Sequence, residues 1–341
     1  MQGSIVPAIM GKIIFIFLLS IVACLLEKDP LHYDVHFDFS PFTAFGVALS
    51  LFLGFRNNAC YDRWWEARKQ WGKQIITVRN LGRIMNTIAP DHSTTRRILN
   101  YASAHSHALR NQLRKEEGDN SIEDRNSFLS KEEIKLMSGC PNPADKILYF
   151  ANGALRDLLL ASHRYVTRPS SEKTESDNDV EKWEITTATS TTRSTDKEPV
   201  TTGSGIFPRE PIVILDTVMF AEAHKHITEL GWVQGACERI ENTPVPFPYA
   251  LLVHRTACFY CLLAPFAMVN SCGWFTPPLM AIIAYVFFGL DELSHHLGHP
   301  FSSDQQSLSL TAMCRVIDIS TRMAIGEPPP EPLQPVDTVL M

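Results

Sequence analysis

The sequence predicts an all-α, multi-pass membrane protein whose spanning helices continue into a cytosolic helical bundle. Three observations lead there. Long uncharged runs lie near the two ends of the 341-residue chain, at Ile5 to Leu26 (interrupted only by Lys12), Phe39 to Phe55 and Thr256 to Leu290. The middle of the chain is polar and compatible with water. Between them, "GVALSLFLGFRNNACYDRWWEARKQWG" (Gly46 to Gly72) passes from apolar to basic and tryptophan-rich with no turn signal. A helix needs roughly 20 residues to cross the apolar part of a bilayer, and the runs approach or exceed that length.

The first membrane helix is expected from Val6 to Leu26. A cleaved signal peptide is the competing reading of this run, but a second apolar run follows closely and a helical hairpin explains both. The loop "EKDPLHYDVHFD" is acidic, and a second helix begins near Pro41, a residue suited to a helix's first turn. Arg56, Arg63, Arg68, Lys69, Lys73, Arg79 and Arg83 come after it. That basic excess marks its far end, and hence both chain termini, as cytoplasmic.

From Tyr61 to Ile88 there is no proline, and Trp64, Trp71, Ile75, Val78, Leu81 and Met85 recur at helical spacing. The second helix is therefore expected to leave the membrane without a break. Cytosolic helices follow at 94–115 and 143–165. The Ser/Thr/Glu/Asp-rich stretch 168–205 buries too little apolar surface to order itself. Helical pattern resumes from Pro211 to Glu241, spans three and four cover 248–270 and 276–293, and a proline-rich tail closes the chain. As domains, 1–60 holds the first two spans and 61–167 cytosolic helices. A disordered insertion occupies 168–205, a further cytosolic helix 206–246 and the last two spans 247–293. A cytosolic carboxyl-terminal segment (294–325) and a disordered tail (326–341) complete the chain.

The net charge of −6 is ordinary and no basic block points to nucleic acid. The eight cysteines form neither a disulfide framework nor a zinc pattern, and Cys258 and Cys261, inside an apolar run, read as packing residues. No cofactor is expected. The lipid bilayer is the expected surrounding, with the plasma membrane as the working assignment.

Val47, Leu51 and Phe55 stand at i, i+4 and i+8, on one slowly turning face about 12 Å long. Gly46, Ala48, Ser50 and Gly54 are small positions that let neighbouring helices approach. Pattern alone favours ordinary packing for such a stripe; the alternative is a hydrophobic constriction that gates by dewetting.

The segment 41–72, together with "GACERIENTPVPFPYALLVHRTACFYCLLAPFAM" (235–268), "GLDELSHHLGHPF" and "LSLTAMCRVIDI", resembles the bacterial, plant and fungal branch of the bestrophin family. The resemblance implies a bestrophin-like homopentameric channel with four membrane helices per subunit, passing chloride or other small anions along a fivefold axis. A cation-selective channel of the same build is the alternative. Matching positions assign the pore neck to Val47, Leu51 and Phe55, and the cytosolic aperture to Val218.

Arg56, Asn57 and Asn58, just below Phe55, are candidates for attracting an anion leaving the neck; interfacial anchoring or an ion pair is the alternative for Arg56. Asp62, Arg63, Glu66 and Arg68 read as networks holding subunits together. His254 and Arg255, near the end of the third span, are expected either to snorkel or to pair with Glu238 or Asp62.

The sequence also departs from the family's pattern. "HPFSSDQQSLS" offers Asp304 as its single carboxylate where animal members build a calcium clasp from several, which argues against direct calcium gating. The chain starts almost at its first helix, where relatives carry a basic and aromatic segment, and so reads as a truncated start. Asp291, His295 and His299 fall at i, i+4 and i+8, with His296 adjacent, the spacing of a possible metal site. Gly298 and Pro300 interrupt that spacing, and a pH-sensitive or simply solvated cluster is the preferred reading. A metal-dependent membrane enzyme using these histidines and a non-conducting scaffold are the rival functions.

Overall fold

A computed structural model describes residues 5–27, 39–90, 93–115, 128–137, 139–166, 217–304 and 306–334. The insertion expected at 168–205, the loop after the first span and the end of the tail lie outside these residues.

Among the described residues the secondary structure is helical. In chain order the helices are α1 (Val6–Glu27), α2 (Phe39–Ile88), α3 (Ser93–Arg114), α4 (Lys131–Met137) and α5 (Pro143–Val166), then α6 (Thr217–Asn242), α7 (Phe247–Cys272), α8 (Thr276–Gly298) and α9 (Leu310–Ala324). Val6–Glu27 and the hairpin Phe247–Gly298 are long and apolar enough to cross a membrane.

Local chemistry sets the boundaries. After Pro41 in its first turn, α2 meets no proline until Pro90, and it runs unbroken for 50 residues. Pro90 cannot continue a helix, and the corner into α3 is closed by Thr95 Oγ1 donating to the Ala89 carbonyl at 2.7 Å. Asn142 caps α5, its Oδ1 accepting from Asp145 N at 3.1 Å, and Pro143 occupies the first helical position. Between α7 and α8 the helix continues to Cys272, two residues beyond the expected end of the third span, and a single 3-10 turn, Gly273–Phe275, reverses the chain. Gly273 takes a positive φ of 52° there, which glycine adopts at low cost.

The helices bury two separate cores. Ile9, Ile16, Leu49, Leu53, Ala257 and Met280 belong to the first, built by α1, the upper part of α2, α7 and α8. Trp71, Leu81, Met85, Leu109, Leu155 and Ile227 belong to the second, built by the lower part of α2 with α3, α4, α5, α6 and α9. α2 is common to both. The short α4 was absent from the sequence-based expectation. The tail, expected to be disordered from 326, is laid down as far as Gln334, because Glu327 pairs with Arg322 and with Arg96 (3.0 Å).

Candidate functional site

Helical periodicity divides the upper half of α2 into two apolar faces. Leu49 and Leu53 are 2 % and 0 % exposed, packed in the first core. Val47, Leu51 and Phe55 lie on the other face and are 58 %, 56 % and 63 % exposed in the single subunit. The fold therefore leaves the stripe singled out in the sequence uncovered, while its neighbours are buried. Val218, near the start of α6, is also largely exposed.

Gly46 lets α2 lie close to α7: a Cβ there would stand 2.7 Å from the Tyr260 hydroxyl. The Tyr260 ring is held by Phe45 (6.1 Å between centroids) and edge-on by Phe287 (5.3 Å).

Below the stripe, the three polar residues following Phe55 part company. Arg56 turns inward, buried, and its guanidinium forms an ion pair with Asp291 of α8. Asn57 faces α8 as well, accepting from Ser294 Oγ at 3.4 Å. Asn58 remains on the exposed face, and Asp62, one turn further, is exposed beside it. Arg56 thus takes the ion-pair role, within one subunit, and is no surface attractor of ions. A buried guanidinium without a carboxylate would carry a heavy desolvation cost.

Asp291 also receives His254 Nδ1 at 2.6 Å. This corrects the pairing expected for His254: its partner is Asp291, not Glu238 or Asp62. With its carboxylate shared by Arg56 and His254, Asp291 does not converge with His295 and His299, whose rings lie 5.3 Å apart. Among the described residues no group of three metal-ligating side chains comes together.

Arg63 completes the junction. Nε donates to the Gly298 carbonyl at 2.9 Å, and the two terminal nitrogens donate to the Thr243 and Ile240 carbonyls. One cation thereby satisfies the orphan carbonyls at the ends of both α6 and α8, where the helix dipole favours positive charge. Glu66 pairs with Arg239 of α6. Both contacts lie inside the chain, whereas the sequence reading placed this network between subunits.

The second core is threaded by buried polar side chains. Gln74 Nε2 donates to His105 Nδ1 (3.0 Å), His105 Nε2 donates to Gln234 Oε1 (3.1 Å), and Gln234 Nε2 donates to Glu238 (2.8 Å). This order holds His105 neutral, and burial pushes its pKa down to about 4. The His105 relay and the Arg56–Asp291–His254 cluster both escaped sequence reasoning. The usable signal for the cluster was a carboxylate, Asp291, at the end of an otherwise uncharged span.

A long helix that carries an exposed apolar stripe above a buried ionic junction, and then a wholly cytosolic-type core, defines an all-α, multi-pass membrane protein of channel-like build. The bacterial/fungal bestrophin family model matches residues 1–173 and 213–323, and the chain belongs to the bestrophin family. It is 35% identical over 334 residues to a voltage-dependent anion channel-forming protein of Mesorhizobium japonicum, covering 98% of this chain and 90% of that one. It is 29% identical over 318 residues to the voltage-dependent anion channel-forming protein YneE of Escherichia coli, covering 93% and 87%. The fold is similar to the crystal structure of a bacterial bestrophin homolog from Klebsiella pneumoniae, with a TM-score of 0.75 and 28% identity over 94% of this chain and 100% of that one.

Proposed function

We propose that this chain is one subunit of an anion channel in which several copies, most simply five, bring their α2 helices around a central axis. Four spans cross the membrane in each subunit: α1, the upper part of α2, α7 and α8. Both termini lie on the cytoplasmic side, and the plasma membrane is the proposed location. The observation that carries this reading is the exposed stripe Val47, Leu51 and Phe55, left uncovered beside a buried face of the same helix. The names of the relatives, voltage-dependent anion channel-forming proteins, supply the ion class.

In that arrangement the three side chains form stacked apolar rings. Such rings cannot replace an ion's hydration shell, so a narrow neck is dry and closed, and widening wets it. Val218 is the proposed second constriction, at the cytosolic end. Asn58, on the same face as Leu51 and Phe55, is the first polar group an ion meets below the neck. The rival metal-enzyme reading loses its ligand set, because Asp291 is committed to Arg56 and His254.

Purified protein in planar bilayers tests the proposal. Wild type should pass anion current in asymmetric potassium chloride, and Leu51→Ala should conduct more. A reversal potential at the potassium limit would replace the anion reading with a cation channel, and well-assembled oligomers without current would overturn both.

A further inference from the structure

A recess of 520 Å³ opens between α1, α7 and α8 at the level of the Arg56–Asp291 pair. Phe247 and Leu251 of α7 give it an apolar wall, and Lys12 of α1 and Glu292 of α8 also line it. Arg56 and Asp291 belong to the lining as well, but they are matched to each other, and His254 Nδ1 completes Asp291.

Lys12 and Glu292 differ. Lys12 interrupts the otherwise uncharged run Ile5 to Leu26. Its Nζ stands 5.5 Å from the centre of the Phe288 ring, and among the described residues it has no hydrogen bond or ion pair. Glu292 has a long contact to His296 Nε2, at 3.6 Å, and no hydrogen bond among the described residues. Both side chains are partly buried. Ionisable groups held among membrane helices are costly and mark functional positions. Snorkelling accounts for a lysine there, but not for a carboxylate in the same recess.

The charges select the occupant. With histidines neutral, Lys12 and Arg56 balance Asp291 and Glu292, so the recess suits a ligand carrying both signs better than a plain anion. The two free groups are also ordered in depth. Lys12 sits over Phe288, and Glu292 lies one turn, about 6 Å, further along α8. In the topology proposed above, on which this inference rests, α8 ends on the cytoplasmic side, so the ammonium of Lys12 lies deeper than the carboxylate of Glu292. A phospholipid of the inner leaflet presents its phosphate deeper and the rest of its headgroup nearer the cytosol. We propose that the recess holds a phosphatidylethanolamine headgroup, with Lys12 on the phosphate and Glu292 on the ammonium. The apolar wall of Phe247 and Leu251 covers the start of the acyl chains. Pockets between membrane helices on the cytoplasmic side are established lipid-headgroup sites. A choline headgroup has no N–H to offer Glu292, and a glycerol headgroup has no cation.

Native mass spectrometry of the purified full-length protein in detergent tests this without reference to conduction. The protein is titrated with phosphatidylethanolamine, phosphatidylcholine and phosphatidylglycerol of identical acyl chains. Wild type should retain phosphatidylethanolamine saturably, severalfold more tightly than the other two. Lys12→Gln should weaken that binding by about tenfold, and Lys12→Arg by less. Glu292→Gln should abolish the preference over phosphatidylcholine while leaving phosphatidylglycerol no weaker. Lys131→Gln, on α4, should change nothing. Melting temperatures without added lipid should match wild type in every variant, since neither Lys12 nor Glu292 gives up a hydrogen bond. Equal retention of the three lipids by wild type, a preference for phosphatidylglycerol, or retention indifferent to both Lys12→Gln and Glu292→Gln would overturn the proposal. Selective lipid binding without current would sink the channel reading alone, and current without selective binding would sink this inference alone.

Discussion

Arg56 and Asp291, 235 residues apart in the chain, form a buried ion pair one residue below Phe55. Phe55 points outward to the stripe while its neighbour ties α2 to α8. Asp291→Asn leaves the guanidinium buried with a weaker partner and should cost about 3 kcal/mol. Arg56→Gln combined with Asp291→Asn should recover most of that. Thermal unfolding in detergent, completed as a double-mutant cycle, reads both values; additive losses, with the double variant losing the sum of the two singles, would refute the coupling.

Arg63 serves three carbonyls at two helix ends through separate nitrogens. A lysine ammonium cannot span them, so Arg63→Lys should be as harmful as Arg63→Gln, with each losing roughly 1–3 kcal/mol. A rescue by lysine, seen as a wild-type melting temperature, would show that charge alone suffices.

Gly46 admits Tyr260 at a distance no side chain tolerates. The Tyr260 ring is wedged between Phe45 and Phe287 and cannot swing aside. Gly46→Ala should therefore push α2 from α7, destabilise by about 1–3 kcal/mol, and change single-channel conductance, since Val47 follows directly. Unaltered conductance together with unaltered stability would show that the helices separate freely.

His105 sets a pH dependence. Its folded pKa of about 4 lies below the ordinary 6.5, so between these values the unfolded chain holds a proton that the folded chain excludes. Stability is then fully present above about pH 6.5 and declines as the pH falls to 4, by on the order of 3 kcal/mol. Melting temperature against pH should be flatter over that window in His105→Asn than in wild type. Parallel curves would remove His105 as the cause.

Asp62 is exposed on the stripe's own face, two turns below Phe55. If that face lines the passage, a ring of carboxylates opposes entering anions, and Asp62→Asn should raise anion conductance. The gain should shrink at high salt, as screening shortens the reach of an exposed charge. No change at low salt would place Asp62 off the ion path.

Much of the architecture was legible because its signals are local. The absence of proline from Tyr61 to Ile88 foretold that α2 runs unbroken, and the helix ends just before Pro90. Alternating exposure of Val47, Leu51 and Phe55 against Leu49 and Leu53 follows from helical spacing; which face stays uncovered required the packing. The start of α4 also carries a local signal. Ser130 and Glu133 form a capping box, Glu133 Oε2 accepting from Ser130 N at 2.8 Å and Ser130 Oγ from Glu133 N at 3.3 Å. The Arg56–Asp291–His254 cluster could not be read, since nothing in a linear sequence says which of several charges near membrane ends will meet. The same holds for Arg63, whose partners are backbone carbonyls and so carry no residue signature at all.

α2 runs from Phe39 to Ile88 as a single unbroken helix that contributes to both cores. Such a rod acts as a lever. With its fulcrum at the Arg56 and Arg63 contacts, a tilt of about 5° swings the far cytosolic end through about 4 Å over the ~50 Å that separate Ile88 from Phe55. In that geometry a tilt of the cytosolic end would shift the apolar stripe directly, with no intervening joint to relay it.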